Sequence, residues 1–568
     1  MNELKNYIQF LVVMLFGIVC LLSSCGKEQK NADSQSTVDK KYPVEVEHAQ
    51  IANDSIVADF RYFIHLLETT HPDPYSSYGG KVFFHHAASE IVRSLKDDNV
   101  TTKEELSWRI QEFLAPLRDG HTQIFNPELL ESPTRVPIRL KAVSDALIVC
   151  QLPKEHQHLI GSRLISIENI QAIDLCERMM KIYPAENDIG KLANICWHGH
   201  QPVVLRRIIP HLRQDTITYH LLTPEGSQVR LPLPIIPVEQ WEEWKNEKVT
   251  ASASSLAGDT IFPKENLGYS FSDKQKNIMY FRSTSIMARD NFNYMYQNGM
   301  EVHDDLKYCY DEVYHKPMPS NTRMAIDSLP SFSEEFEKML LQMKHNNSEN
   351  LIIDLRGNSG GWTPITLPTL YQLWGDGYLQ KNFQDYNYRL LSPLYMQKIN
   401  MTIEEFNAQY DTDYELGDYI FNENNEKTQA VTEETRASFI NNSMSCIQDH
   451  LAKQNGRPVY TPKHVYVLAD AETFSAGFHY MFYLWKMGAK IVGVPSSQAP
   501  NTFMEVTSFM LPRTKLKGAI SNSIQQFLPV DDPCSKQLTP DIQLNYDDYK
   551  RYHFDSQAEV LYLLDYIK

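Results

Sequence analysis

The sequence predicts an α/β protein whose main core follows a helical N-terminal region and a small β-rich module. Three observations carry this reading. Buried-strand runs at 350–355, 465–469 and 489–493 alternate with helical patterns. Residues 135–235 break into short alternating runs with turn signals, and residues 50–118 show helical spacing instead. A chain of 568 residues is too long for one ordinary core, so several domains are expected.

The first residues have a separate logic. Lys5 gives a weakly positive start, and residues 8–22 are nearly all apolar. That run is short for a membrane span and right for a signal-peptide core. It ends Leu22-Ser23-Ser24-Cys25, which resembles a bacterial lipobox. Residues 1–24 are therefore expected as a lipoprotein signal peptide, with Cys25 as the lipidated mature N-terminus. The expected place is the cell envelope of a Gram-negative-type bacterium, at the outer membrane. The polar residues 25–49 read as a flexible tether. The six remaining cysteines are scattered without zinc spacing, so buried free thiols are the default.

Residues 50–125 are read as helical. Phe60, Phe63, Leu66 and Leu67 recur at helical spacing, and Thr102-Lys103-Glu104-Glu105 has the pattern of a capped helix start. The region ends in Asp119-Gly120-His121-Thr122, a tight turn that delivers a histidine to a strand. Residues 126–250 hold the β-rich runs, at 136–140, 146–152, 163–167, 216–222 and 228–233, with a helix over 172–182. The pair His198 and His200 lacks a third ligand at metal spacing.

The α/β core is expected over 260–568. After the strand at 350–355 comes Arg356-Gly357-Asn358-Ser359-Gly360-Gly361, a glycine-rich turn leading to a helix. Such a turn cradles an anion, but it lacks the lysine and the spacing of nucleotide-binding loops, so no cofactor is expected. Residues 376–460 are polar and rich in Tyr and Asn, and read as an inserted lid or cap. The strand at 465–469 runs into Asp470-Ala471-Glu472-Thr473-Phe474-Ser475-Ala476-Gly477 and a helix. Ser475 thus stands at a strand-turn-helix junction, beside free amides and the positive end of a helix dipole. A nucleophile and an N-cap are the two roles open to it there.

A net charge of −17 and the absence of a basic stripe argue against a nucleic-acid partner. Nucleophilic hydrolysis needs a serine, a base and oxyanion donors. Ser475, His121 and the backbone amides of Gly360, Gly361 and Ala476 supply such a set. The glycine two residues before the serine is missing, so this is not an α/β-hydrolase elbow.

The three motifs, in this order, resemble the C-terminal-processing (tail-specific) serine protease family, which includes tricorn protease and the interphotoreceptor retinoid-binding protein modules. The resemblance implies a ClpP/crotonase-like core, a PDZ-like character for the β-rich module, and a peptide or protein substrate. No metal and no cofactor are expected. Typical members use a Ser–Lys dyad. Here the loop Gly493-Val494-Pro495-Ser496-Ser497-Gln498-Ala499-Pro500 has no lysine, and Lys490 lies on the strand before it. The tricorn-like branch uses a histidine at the position of His121, which makes His121 the expected base. Glu505, Asp531 and Asp532 are the candidates for the acid that orients it. The alternative is a catalytically decayed binding protein for peptides or apolar ligands, since retinoid-binding relatives share the fold.

Overall fold

Six strands form the central sheet, in the order Leu267–Phe271, Ile278–Ser283, Asn350–Asp354, His464–Ala469, Lys490–Gly493 and Ile542–Gln543. They belong to a computed structural model that describes residues 50–209, 212, 215–246 and 266–568. The first pair is antiparallel and every later pair is parallel. All five residues of Asn350–Asp354 are buried, as a strand covered on both faces requires.

Alternation divides the covering layers. Leu351, Ile353, Val465 and Val467 pack against the helices Phe332–Asn346, Leu367–Trp374 and Ala476–Lys486. Ile352, Tyr466, Leu468 and Val492 face the C-terminal helix Ala558–Ile567 through Val560, Leu563 and Leu564. An ionic cluster locks that helix to the glycine turn. Arg356 binds Asp354 at 2.6 Å and Glu559 at 2.6 Å, and Lys141 from the β-rich module also reaches Glu559.

A second sheet carries the histidine. The long hairpin Asn501–Met510 and Lys517–Gln526 is its spine. Gln123–Ile124 and Asp385–Leu390 pair with Lys517–Gln526, and Tyr419–Asn424 extends the sheet beyond Asp385–Leu390. Residues 376–460, expected as a lid, therefore contribute two strands to this sheet. Further along, Met444, Ile447 and Leu451 are part of the main core.

The N-terminal helices Asn53–Thr70, Lys81–Asp97 and Lys103–Leu114 follow the expected pattern, and the Thr102 side chain accepts the Glu105 amide at the start of the third. Asp59 fastens the first helix to the hairpin by accepting the Thr514 amide at 2.7 Å. The β-rich module is an antiparallel sheet of Arg139–Val143, Ala146–Gln151, Arg163–Ile167, Thr216–Leu222 and Gln228–Pro234. Its helix spans Ala172–Met179, and two more, Asp188–His198 and Pro202–Ile208, complete it. Tyr546, Tyr549 and Leu561 join its apolar core, so the module is packed against the C-terminal segment.

Cys150, Cys176, Cys196, Cys309, Cys446 and Cys534 are free thiols. Among the described residues, no helix is long and apolar enough to cross a membrane. The expected signal peptide, Cys25 and the tether lie outside the described residues.

Candidate active site

Ser475 ends the turn after His464–Ala469 and precedes the helix Ala476–Lys486. Its backbone sits at φ 51° and ψ −125°, which is strained for any residue but glycine. The hydroxyl caps nothing: it is buried and makes no hydrogen bond. An N-cap serine would bond an amide of the first helical turn, so that role is excluded here. What holds the strained turn is the loop 493–500. Gln498, fully buried, accepts the Ser475 amide at 2.5 Å, and Ser497 donates to the Ala471 carbonyl at 2.6 Å.

The glycine turn lies directly against the serine. A Cβ on Gly360 would stand 2.6 Å from the Ser475 Cβ and 3.0 Å from the Ala476 nitrogen, and Gly360 itself is at φ +114°. Only glycine allows this approach. The donors differ from the expected set. The Gly360 amide is spent on Asn358 Oδ1 at 3.0 Å, so Gly360 supplies space and not a proton. Ala476 is the first residue of its helix, and its amide has no intrahelical acceptor. That leaves the amides of Gly361 and Ala476 as candidate donors.

His121 arrives from the other sheet. Its ring lies 4.8 Å from the Phe474 ring, and it lines one cavity of about 460 Å³ together with Ser475, Gly360 and Gly361. Both ring nitrogens are buried without a hydrogen bond, so His121 and Ser475 share the cavity but are not hydrogen-bonded to each other. Burial holds the ring below its ordinary pKa, while the charges of Asp119 and Glu505 pull the other way. Asp119 fixes the turn: it accepts the His121 amide at 2.8 Å and pairs with His71 at 3.3 Å. Its carboxyl is driven down to about 2, chiefly by His71 working against burial.

Of the three candidate acids, Glu505 lies within electrostatic reach of His121. It stands at φ +62° in the hairpin strand Asn501–Met510, beside the buried Arg389 at 3.5 Å. Asp531 and Asp532 are placed elsewhere: they sit at a short turn where Asp532 caps Cys534, and neither acts on His121. Lys490 lies over the Tyr566 ring at 5.9 Å, away from the cavity.

One residue was not legible beforehand. Glu186, from the β-rich module, accepts the Gly120 amide at 3.1 Å and the Ala499 amide at 2.8 Å. It ties the histidine turn to the loop behind the serine. Burial pushes its carboxyl up to about 8. Among the described residues, Asp119, His121 and Glu186 form a group with ligand atoms within 4.8 Å of one another, the arrangement that would suit a metal. Asp119 and Glu186 are already engaged by hydrogen bonds that hold the histidine turn in place.

The glycine turn and the serine turn fall inside one recognisable unit, since residues 323–544 match the family model of Peptidase family S41. Residues 323–544 are an S41 peptidase domain. The S41 domain holds Gly360, Gly361, Ser475 and Glu505, whereas His121 and Glu186 come from before it. The whole chain has the mixed α/β fold of solved S41 protease structures. Structures of mature CPAF, and of mature CPAF complexed with lactacystin, each align at 14% identity with a TM-score of 0.51. Each alignment covers 90% of this chain and 98% of that chain, which extends the likeness of fold well beyond the S41 domain. No curated protein matches the chain in sequence.

Proposed function

We propose that the protein is a serine endopeptidase of the tail-specific protease type, acting through an acyl-enzyme on Ser475. The observation that carries this reading is the pairing of two buried, unpartnered groups in one cavity: the Ser475 hydroxyl, on a strained turn, and the His121 ring. Leaving both without partners costs stability, and a catalytic pair is a physical reason to leave them so.

In the proposed reaction His121 Nε2 takes the Ser475 proton as Oγ bonds to the peptide carbonyl carbon. The oxyanion is met by the amides of Ala476 and Gly361. The protonated ring gives its proton to the leaving amine as the C–N bond breaks. Water, deprotonated by the same ring, then releases the acid and restores the hydroxyl. Glu505 is the assigned orienting acid, with Arg389 beside it. A modest movement of the His121 turn toward Ser475 is part of this proposal, since no hydrogen bond joins the two groups at rest.

Turnover of a peptide pool tests the reading. Ser475→Ala should abolish it, and full activity in that variant would refute the assignment. Retained activity in His121→Ala would move the base elsewhere. We also propose lipid attachment at Cys25 and a place in the bacterial outer membrane. Incorporation of labelled palmitate, lost in Cys25→Ser, is the corresponding measurement.

A further inference from the structure

We propose that a second cavity, next to the one holding Ser475, is a subsite for a tyrosine side chain of an extended peptide substrate. This rests on the peptidase reading and gives that site its substrate preference.

The second cavity has a volume of about 660 Å³ and shares Gly120, Gln123, Gly357, Ser359 and Phe474 with the first. The two cavities are therefore neighbours, and a substrate lying across Ser475 extends past the second. Its walls are largely apolar and aromatic, from Leu114, Ile124, Phe125, Leu129, Tyr183 and Trp197. A concave site of this composition favours a large side chain with an apolar body.

Four residues that line the same cavity have a buried polar atom without a hydrogen bond, Gln111 and Tyr183 among them, and two of the four carry the argument. One is Asn126 Nδ2; Asn126 is only 2% exposed. Its other amide atom, Oδ1, accepts the Glu128 amide at 3.0 Å, so Nδ2 is the end left for a ligand. The second is His198 Nδ1. The His198 ring is stacked on Tyr183 at 3.7 Å, and burial pushes its pKa down to about 3, which keeps it neutral. An amide donor and a neutral imidazole nitrogen match a hydroxyl, which accepts one hydrogen bond and donates another. Among side chains, tyrosine combines that hydroxyl with an aromatic body.

The backbone beside the cavity can align such a peptide. The Phe125 amide donates to the Lys517 carbonyl at 2.9 Å. In an antiparallel pair, alternate residues face the partner, so the Ile124 N–H and C=O point away from Lys517–Gln526. Among the described residues, no strand pairs with that edge. An extended peptide added there would pair with Ile124, roughly 10 Å along the strand from His121. The tyrosine would then lie about three residues from the scissile bond.

The test uses the full chain carrying Ser475→Ala, so that binding is read without cleavage. Short fluorescent peptides differing by Tyr, Leu, Asp or Ala at one position are titrated, with that position moved along the peptide. The tyrosine peptide should bind at least about ten-fold tighter than the alanine peptide at one position. Adding Asn126→Asp, which keeps the acceptor for Glu128 and removes the donor, should bring that ratio down to roughly three-fold or less. Adding Leu129→Trp, which fills the cavity from a partly buried position, should do the same. Equal affinity for Tyr and Ala at every position overturns the proposal, as does a ratio unchanged in both variants. If wild type cleaves nothing while the ratio behaves as stated, the peptidase reading fails and the subsite stands.

Discussion

Gln498 accepts a hydrogen bond from the Ser475 amide at 2.5 Å, and it lies in the loop where the resemblance implied a lysine. The loop holds a clamp on the Ser475 backbone where the resemblance implied a base. Gln498→Ala should orphan a buried amide at a cost of about 1–3 kcal/mol. It should also lower kcat by about ten-fold or more, as the serine relaxes from its strained conformation. Gln498→Glu keeps the acceptor and should recover most of kcat. Steady-state kinetics on the two variants separates this positioning role from simple instability.

A Cβ on Gly360 would collide with the Ser475 Cβ, so Gly360→Ala should displace the Ser475 side chain. A methyl group at 2.6 Å from that carbon, on backbone at φ +114°, has no room unless the turn shifts. The expected result is a loss of kcat of about a hundred-fold or more, the scale of losing an oxyanion donor. Circular dichroism should show an intact fold beside that loss.

Arg356 neutralises two buried carboxylates, Asp354 and Glu559. Glu559 is held down to about 2 by Lys141 and then Arg356, against the effect of burial. Arg356→Met would leave charge without its partner, an effect worth about 3–5 kcal/mol when a buried pair is broken. Denaturant melts should show this loss, and it should shrink in the double variant Arg356→Met with Glu559→Gln.

Acid should weaken the fold through its histidines and, separately, protonate the proposed base. Buried His198 and His479 both have pKa values lowered from 6.5 to about 3. Their folded values lie below the unfolded ones, so the unfolded chain binds more protons once the pH falls below 6.5. Stability is therefore present above that pH and is lost as the pH falls toward about 3. Glu186 has the opposite sign: raised from 4.5 to about 8, it favours the folded state below 4.5, and that contribution is lost as the pH rises through about 8. His121 is also lowered from 6.5, so the acid limb of kcat/KM should lie below that value. Urea melts and pH–rate profiles check the two halves of this prediction.

The parts of the site that sequence reveals are those built by local turn chemistry. Asp119-Gly120 presents His121, Gly360 and Gly361 reveal close backbone approach, and Ala476 and Gly477 after Ser475 mark a tight junction. Periodicity likewise exposes the parallel strands, because a strand covered on both faces is an unbroken apolar run. Groups that reach the site across the fold leave no such pattern. Glu186 meets Gly120 across 66 residues, from a module that reads only as short strands. Arg389 lies in a stretch whose polarity suggested a lid, yet its strand pairs with Lys517–Gln526 and buries the guanidinium beside Glu505. Asp531 and Asp532 lie past the hairpin, at a turn where Asp532 accepts the Cys534 amide.

The most direct test of the account is covalent labelling by a serine-directed phosphonate, with the adduct mapped by mass spectrometry. The account predicts one adduct on Ser475, none in Ser475→Ala, and labelling strongly slowed in His121→Ala. An adduct on another serine, or Ser475 labelling at an unchanged rate without His121, would contradict it.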